Sequence, residues 1–392
     1  MKILFCTNSL GAFGGIERVT IVKANALAAI PGNEVMVAFT DRGTFPERTI
    51  HPLSPAVRTA DLATPYWQFT GLKSLIRGFL PQVLRTRKAL RKVIDEFKPD
   101  VVVTTGAYER FAVASLPSRG RFAKIREYHF SSDFRRSLGN SVPMRLRASF
   151  MEWLERAVMS RFFDKSYLLT AADFSRNYAS RSCARRFGWM WNPTSFSPVE
   201  KPSPGPLKRI LAIGRLSIEK NYAELLEIWA KVSPHAPGWT LRIIGSGPQE
   251  QTLRDKANRL DLTDSVEFAG YSSDVASEMD NASLLAVTSF YEGFSLVITE
   301  ALSRALPVLA YDLPYGPAEL IREGRDGFVV PHRDTYAFAR RLLQLISNPS
   351  LLDAMRPSAL ERSRLLSPEA IAAGWMREYQ NLIKKQAPSN KS

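Results

Sequence analysis

Cysteine is almost absent from this 392-residue sequence. Cys6 and Cys183 are the only two, far apart and without a CxxC pair. That excludes a disulfide scaffold and fits reduced thiols in a cytoplasmic protein. Histidine is scarce as well. His51, His129, His235 and His332 show no metal-ligand spacing, so no structural zinc is predicted, and no cofactor is expected. No stretch approaches the roughly 20 uninterrupted apolar residues of a membrane-spanning helix. The first ten residues, MKILFCTNSL, hold too short an apolar run for a signal peptide and read as a first strand with its turn. Short-period repeats are missing. A GxGxxG is missing too, so dinucleotide binding is not indicated.

What is present is globular composition, 45% hydrophobic and 23% charged, in a chain long enough for two lobes with their own cores. The net charge of +15 is one-sided. Residues 1–192 carry 30 Lys and Arg against 15 Asp and Glu, and residues 193–392 carry 23 against 23. All the excess lies in the first half, which suggests an anionic partner there: a membrane surface, a nucleic acid or an anionic substrate.

Apolar runs over 2–6, 34–39, 101–105 and 125–129 read as buried strands, with a helix over 17–29 after the first. Five prolines between 193 and 206 have linker composition. The alternation then restarts. Strands are expected over 209–213, 240–244, 266–269, 284–288, 307–311 and 327–330, with helices over 222–232, 249–260 and 368–385. Such alternation implies an α/β fold of two Rossmann-like domains facing each other across a cleft, where ligands of open parallel sheets bind. The expected boundaries are 1–192 and 193–367. The last helix would pack back on the first domain, and a polar tail over 386–392 would be disordered.

Four segments could carry chemistry. Gly11-Ala12-Phe13-Gly14-Gly15 follows the first strand and opens a helix, where free N–H groups favour an anion; a turn without ligand fits equally. Gly214-Arg215-Leu216 with Lys220 lies beyond the strand 209–213. Arg215 can grip a phosphate with two hydrogen bonds and Lys220 adds a point charge, although such loop residues are ordinarily solvated. Gly245-Ser246-Gly247-Pro248 is a second strand–turn–helix junction. In SFYEGFSLVITE, Glu292 and Glu300 stand eight apart, and Gly293, Phe294, Ser295 and Leu296 fall where a helix should begin. Those N–H groups could receive a diphosphate and Glu300 the hydroxyls of a ribose. The alternative is a helix with Glu300 on its wet face.

Taken in order, GRLSIEKN, IIGSGP, the E-x7-E of Glu292 and Glu300, and DGFVVP over 326–331 resemble the retaining GT-B glycosyltransferases of family 4, the glycosyl transferases group 1. The likeness runs over most of the chain and is densest over 210–331. It implies that Arg215 and Lys220 bind the donor diphosphate, that Glu300 holds the ribose, and that Glu292 with Gly293, Phe294, Ser295 and Leu296 contacts sugar and phosphates. Gly214 and Gly245 would contact the donor nucleotide, Gly270 and Tyr271 would frame the base, and Gly14 and Gly15 would cover the diphosphate. His129 resembles the family's histidine near the transferred sugar, although His129-Phe130 departs from the usual His-Asp or His-Gly. The catalytic set would then be His129, Arg215, Lys220 and Glu292, working without a metal. YDLPYGPAE over 311–319 resembles the matching segment of UDP-hexose and UDP-N-acetylhexosamine users.

The implied function is transfer of a hexose or N-acetylhexosamine from a UDP-sugar to a lipid-linked or cell-envelope glycan, as in lipopolysaccharide or polysaccharide biosynthesis. A sugar-nucleotide epimerase or hydrolase of the same fold, or an inactive partner subunit, is the alternative. Basic amphipathic stretches over 71–97 and 144–165 suggest a peripheral site on an anionic cytoplasmic membrane face, or helices with solvated outer faces. Motifs for nucleic acid are not found.

Overall fold

The computed structural model describes residues 1–10, 14–40, 52–64, 78–106, 109–118, 121–132, 142, 146, 149–150, 153–154, 159–202 and 208–386. Gly11, Ala12 and Phe13, residues 71–77, most of 144–158, residues 203–207 of the proline-rich stretch and the tail 387–392 lie outside them. The chain divides into two units, Met1–Ser195 with Pro368–Ser392, and Phe196–Ser367.

The first unit is a parallel sheet ordered β3-β2-β1-β4-β5-β6-β7. Its strands are β1 (Lys2–Thr7), β2 (Glu34–Phe39), β3 (Val57–Asp61), β4 (Val101–Thr104), β5 (Ala123–Glu127), β6 (Lys165–Leu168) and β7 (Phe187–Trp189). The central strands are covered on both faces, so they read as continuous Val, Ile and Leu runs. Residues Ile3, Leu4, Phe5, Val101, Val102 and Val103 are fully buried. In helix Leu80–Phe97, Val83, Thr86, Leu90, Ile94 and Phe97 recur at helical spacing and are buried, while most of its Lys and Arg face outward. Its apolar stripe is therefore committed to the core, with Leu80 and Leu84 left exposed. Helix Pro368–Gln386 also belongs to this core. Trp375 and Tyr379 are buried in it, and the Trp375 ring meets Tyr167 edge-on at 4.7 Å.

One expectation is corrected here. The strand over 125–129 is instead Ala123–Glu127, and His129 lies past its end. β6 pairs with β5 only as far as Glu127 opposite Tyr167, and the Tyr128 N–H makes a last bond to the Tyr167 carbonyl at 2.9 Å.

The second unit is a parallel sheet ordered β10-β9-β8-β11-β12-β13. Its strands are β8 (Arg209–Ile213), β9 (Thr240–Ile244), β10 (Val266–Gly270), β11 (Leu284–Val287), β12 (Val308–Tyr311) and β13 (Gly327–Val330). Leu225, Ile228 and Trp229 of helix Tyr222–Val232 are completely buried against it. Each aliphatic side chain so buried stabilises the unit by roughly 1.5–3 kcal/mol. Winding reverses between β8 and β11, and such a reversal opens a crevice at the C-terminal strand ends.

Candidate functional site

The loops after β8, β9 and β10 interlock at that crevice. The Gly214 N–H bonds the Ile244 carbonyl at 3.0 Å and the Leu216 N–H bonds that of Ser246 at 3.0 Å. The Gly245 N–H reaches the Gly270 carbonyl at 2.7 Å. Glycine is required here. At Gly245 φ is +134°, and a Cβ would lie 2.0 Å from the Gly214 carbonyl oxygen; one at Gly247 would lie 2.4 Å from that of Leu216. This close approach fixes the backbone of Arg215, whose exposed side chain has no ion-pair partner among the described residues.

A 3-10 turn, Ile218–Lys220, follows, and Asn221 in the left-handed conformation passes the chain into helix Tyr222–Val232. The turn is pinned to the loop after β11. The Phe290 N–H donates to the Glu219 carbonyl at 2.8 Å, and Lys220 Nζ donates to Glu292 Oε1 at 2.7 Å. Ser289 Oγ donates to the same carboxylate oxygen at 2.8 Å. Lys220 and Glu292 are 23% and 12% exposed, so both are mostly buried yet still reached by solvent. Burial, then the Glu292 and Glu219 charges, push the Tyr222 hydroxyl well above its ordinary value. The Tyr291 hydroxyl is also raised, by burial and the same two carboxylates, with Lys220 opposing. Both phenols stay neutral and cannot serve as bases near neutral pH.

Beyond Gly293 the chain enters helix Leu296–Ser303. Ser295 stands at its N-cap, yet its buried hydroxyl makes no capping bond and has no partner among the described residues. The Leu296 and Val297 N–H groups have no acceptor within the helix. The helix start thus offers unsatisfied donors and a positive dipole end. Glu300, 3% exposed, is on the buried side, which overturns the wet-face alternative. Gly316, at φ +107°, lies against the helix start: a Cβ there would be 4.0 Å from the Ser295 nitrogen. At the end of β10, Gly270 has open space where a side chain would stand, and Tyr271 is 61% exposed.

Arg215, Lys220, Gly214, Gly245, Gly270, Tyr271, Glu292, Gly293, Phe294, Ser295, Leu296 and Glu300 therefore all belong to the second unit, along the C-terminal edge of its sheet. Gly14, Gly15 and His129 belong to the first unit, at the C-terminal ends of β1 and β5. Gly14 caps helix Gly15–Ala28 in an extended conformation, and a Cβ on it would strike Glu17 Oε2 at 2.2 Å. The His129 side chain is 3% exposed, with Nε2 3.5 Å from Glu127 Oε2. Glu127 is also ion-paired to buried Lys23, whose ammonium lies 4.6 Å from the Trp375 ring centre. Sequence reasoning missed Ser289, Glu219 and Tyr222. Ser289, three residues before Glu292, was the one with a readable signal. Among the described residues, no three His, Cys, Asp or Glu cluster to hold a metal ion, and no helix is long and apolar enough to cross a membrane.

Residues 195–362 match the family model described as Glycosyl transferases group 1. They form a group 1 glycosyltransferase domain. The chain is 29% identical to an exopolysaccharide phosphotransferase of Streptomyces coelicolor, over 98% of this chain and 41% of that one. It is 32% identical to the amylovoran biosynthesis glycosyltransferase AmsD of Erwinia amylovora, over 56% of this chain and 61% of that one. It thus spans less than two thirds of either relative. An uncharacterized glycosyltransferase of Haemophilus influenzae is matched at 28% identity over 97% of this chain and 99% of its own. HepE of Anabaena, solved in complex with UDP-glucose, shares the fold at a TM-score of 0.73 and 20% identity, covering 97% and 100% of the two chains. The group 1 domain thus coincides with the second unit, and the fold is α/β with two Rossmann-like parallel-sheet units of the GT-B kind.

Proposed function

We propose that the protein transfers a hexose or N-acetylhexosamine from a UDP-sugar to a lipid-linked or cell-envelope glycan, with retention at the anomeric carbon and without a metal. The observation that carries this reading is the grouping of Arg215, Lys220, Glu292, Glu300 and an uncapped helix start at the crevice between β8 and β11. Two cations and a helix N-terminus suit a diphosphate leaving group, whose charge develops in the transition state. Glu300 accepts the ribose hydroxyls, Glu292 a sugar hydroxyl, and Tyr271 and Gly270 frame the base. By resemblance to the family, Gly14 and Gly15 contact the diphosphate and His129 the sugar.

The UDP assignment is supported by the segment 311–319, by its Gly316 lying beside Ser295, and by the UDP-glucose complex of the similar HepE. The acceptor class is supported by the relatives named for exopolysaccharide and amylovoran. The excess positive charge of the first half, with Leu80, Phe150, Trp153 and Phe162 exposed, supports peripheral association with an anionic membrane. Donor hydrolysis assays with labelled nucleotide sugars test the donor. Turnover of UDP-hexoses is expected; turnover of GDP-mannose with none of any UDP-sugar overturns it. Co-sedimentation with anionic vesicles at low salt tests the membrane association, and no binding removes it.

A further inference from the structure

A large cavity of about 1310 Å³ opens in the first unit and shares no lining residue with the proposed donor site. Among the described residues its walls carry Arg87, Lys124, Arg161, Arg185 and Arg186 against one carboxylate, Asp164. The topology gives its place. Lys124 is the second residue of β5, Asp164 immediately precedes β6, and Arg185 and Arg186 immediately precede β7. The cavity is therefore at the N-terminal strand ends. Gly14 and His129 stand at the C-terminal ends, on the order of 15 Å away along a five-residue strand.

Two of the six charged groups are structural. Lys124 Nζ donates to the carbonyls of Ala114 and Leu116 at 3.2 and 2.9 Å, and burial holds its ammonium below the ordinary range. Asp164 accepts the Lys124 N–H at 2.7 Å. The four arginines have no carboxylate partner among the described residues. Arg161, Arg185 and Arg186 are exposed, and Arg87 Nε is buried without any hydrogen bond. Four guanidinium groups around one concavity, without a carboxylate partner among the described residues, repel one another, and an anion seated among them relieves that repulsion. Their planar donor forks match phosphate oxygens two at a time. Phe162, 48% exposed on the wall, gives the opening an apolar edge.

We infer that this cavity is an anion site for a phosphate-bearing ligand, separate from the donor crevice. A phosphorylated glycan and the headgroups of an anionic lipid surface share this chemistry. The site stands independently of the donor assignment, since no residue is common to both.

The test uses the full chain and its variant Arg161→Gln/Arg185→Gln/Arg186→Gln, whose changes are all at exposed positions, with circular dichroism confirming the fold. Inorganic tripolyphosphate is titrated calorimetrically at low salt. Binding is expected to weaken at least tenfold in the variant and to persist in Lys220→Ala, which separates it from any phosphate bound in the donor crevice. Co-sedimentation with phosphatidylglycerol vesicles, against phosphatidylcholine controls, distinguishes the sources. Capture that tripolyphosphate displaces and the variant loses identifies lipid headgroups. Arginine-dependent tripolyphosphate binding without vesicle capture identifies a soluble or glycan-borne phosphate. Tripolyphosphate binding unchanged in the variant, or absent from the wild type, overturns the proposal.

Discussion

Lys220→Ala separates the chemical role of the site from its structural one. Lys220 Nζ lies 2.7 Å from Glu292 Oε1, and that oxygen has one other donor, Ser289 Oγ at 2.8 Å. Truncation leaves the Glu292 carboxylate, 12% exposed, on the serine alone. A charged hydrogen bond of this kind is worth about 1.5–3 kcal/mol, and partial solvent access favours the lower end. For a unit of this size each kcal/mol moves Tm by about 2–4 °C, so a fall of roughly 3–6 °C is expected. The effect on turnover is larger. Removing a cation aimed at the departing diphosphate costs about 10²–10³ in kcat. Lys220→Arg keeps the charge and recovers part of it, while a forked donor fits a point contact poorly. UDP release from UDP-glucose, followed chromatographically beside thermal unfolding, measures both. Turnover within threefold of wild type, with Tm lowered as expected, would refute the diphosphate role and leave Lys220 a purely structural partner of Glu292.

Glu300→Gln keeps the shape of a buried side chain but halves the strength of a charge-assisted bond, so UDP should bind roughly tenfold more weakly by calorimetry. Unchanged affinity removes Glu300 from the ribose. Gly245→Ala forces a Cβ against the Gly214 carbonyl at φ +134°; neither side is a flexible side chain, so a loss of about 2–4 kcal/mol is expected in urea unfolding. In the first unit, burial is the largest single influence on the Glu127 carboxyl and raises it, but Lys23 and His129 together outweigh it and hold the carboxyl below its ordinary value. Its folded value being depressed, Glu127 contributes stability that is present above the ordinary carboxylate range and lost as pH falls through the folded value. Tm should therefore drop on acidification below that range, and Glu127→Gln should flatten that part of the profile. An equally steep profile would show that other carboxylates dominate.

How much was legible depended on whether the signal was local. β1 and β4 stand in the sequence as unbroken apolar runs because both faces are covered, and helix Tyr222–Val232 shows its buried face at helical spacing. β3 (VRTAD), β6 (KSYL) and β7 (FGW) have no such pattern. They are strands because β2, β5 and β6 in turn offer them a pairing edge, and β3 stays largely exposed. His129 was placed on a strand because nothing in IREYH marks where the partner strand ends. In the crevice, residue types and order were readable, but contacts were not. Lys220 and Glu292 meet across 72 residues of sequence, and Lys23 and Glu127 across 104. A lysine in helix Gly15–Ala28 reads as solvated; burial between Glu127 and the Trp375 ring is a property of the assembled core. The helix Leu80–Phe97 shows the opposite limit. Its basic amphipathic pattern was correctly visible, but pattern alone could not assign its apolar stripe to the core.

The claim on which the account rests is that the second unit holds a UDP-sugar through Arg215, Lys220 and Glu300. Thermal unfolding of the full chain against a panel of nucleotide sugars tests it most directly, because a ligand that binds only the folded state stabilises it by about 2.7 kcal/mol at 100 times its Kd. The account predicts that one or more UDP-sugars raise Tm by several degrees and that Glu300→Gln shrinks the rise. A rise with GDP-mannose alone, or one with UDP-sugars that Glu300→Gln and Lys220→Ala leave untouched, would contradict it.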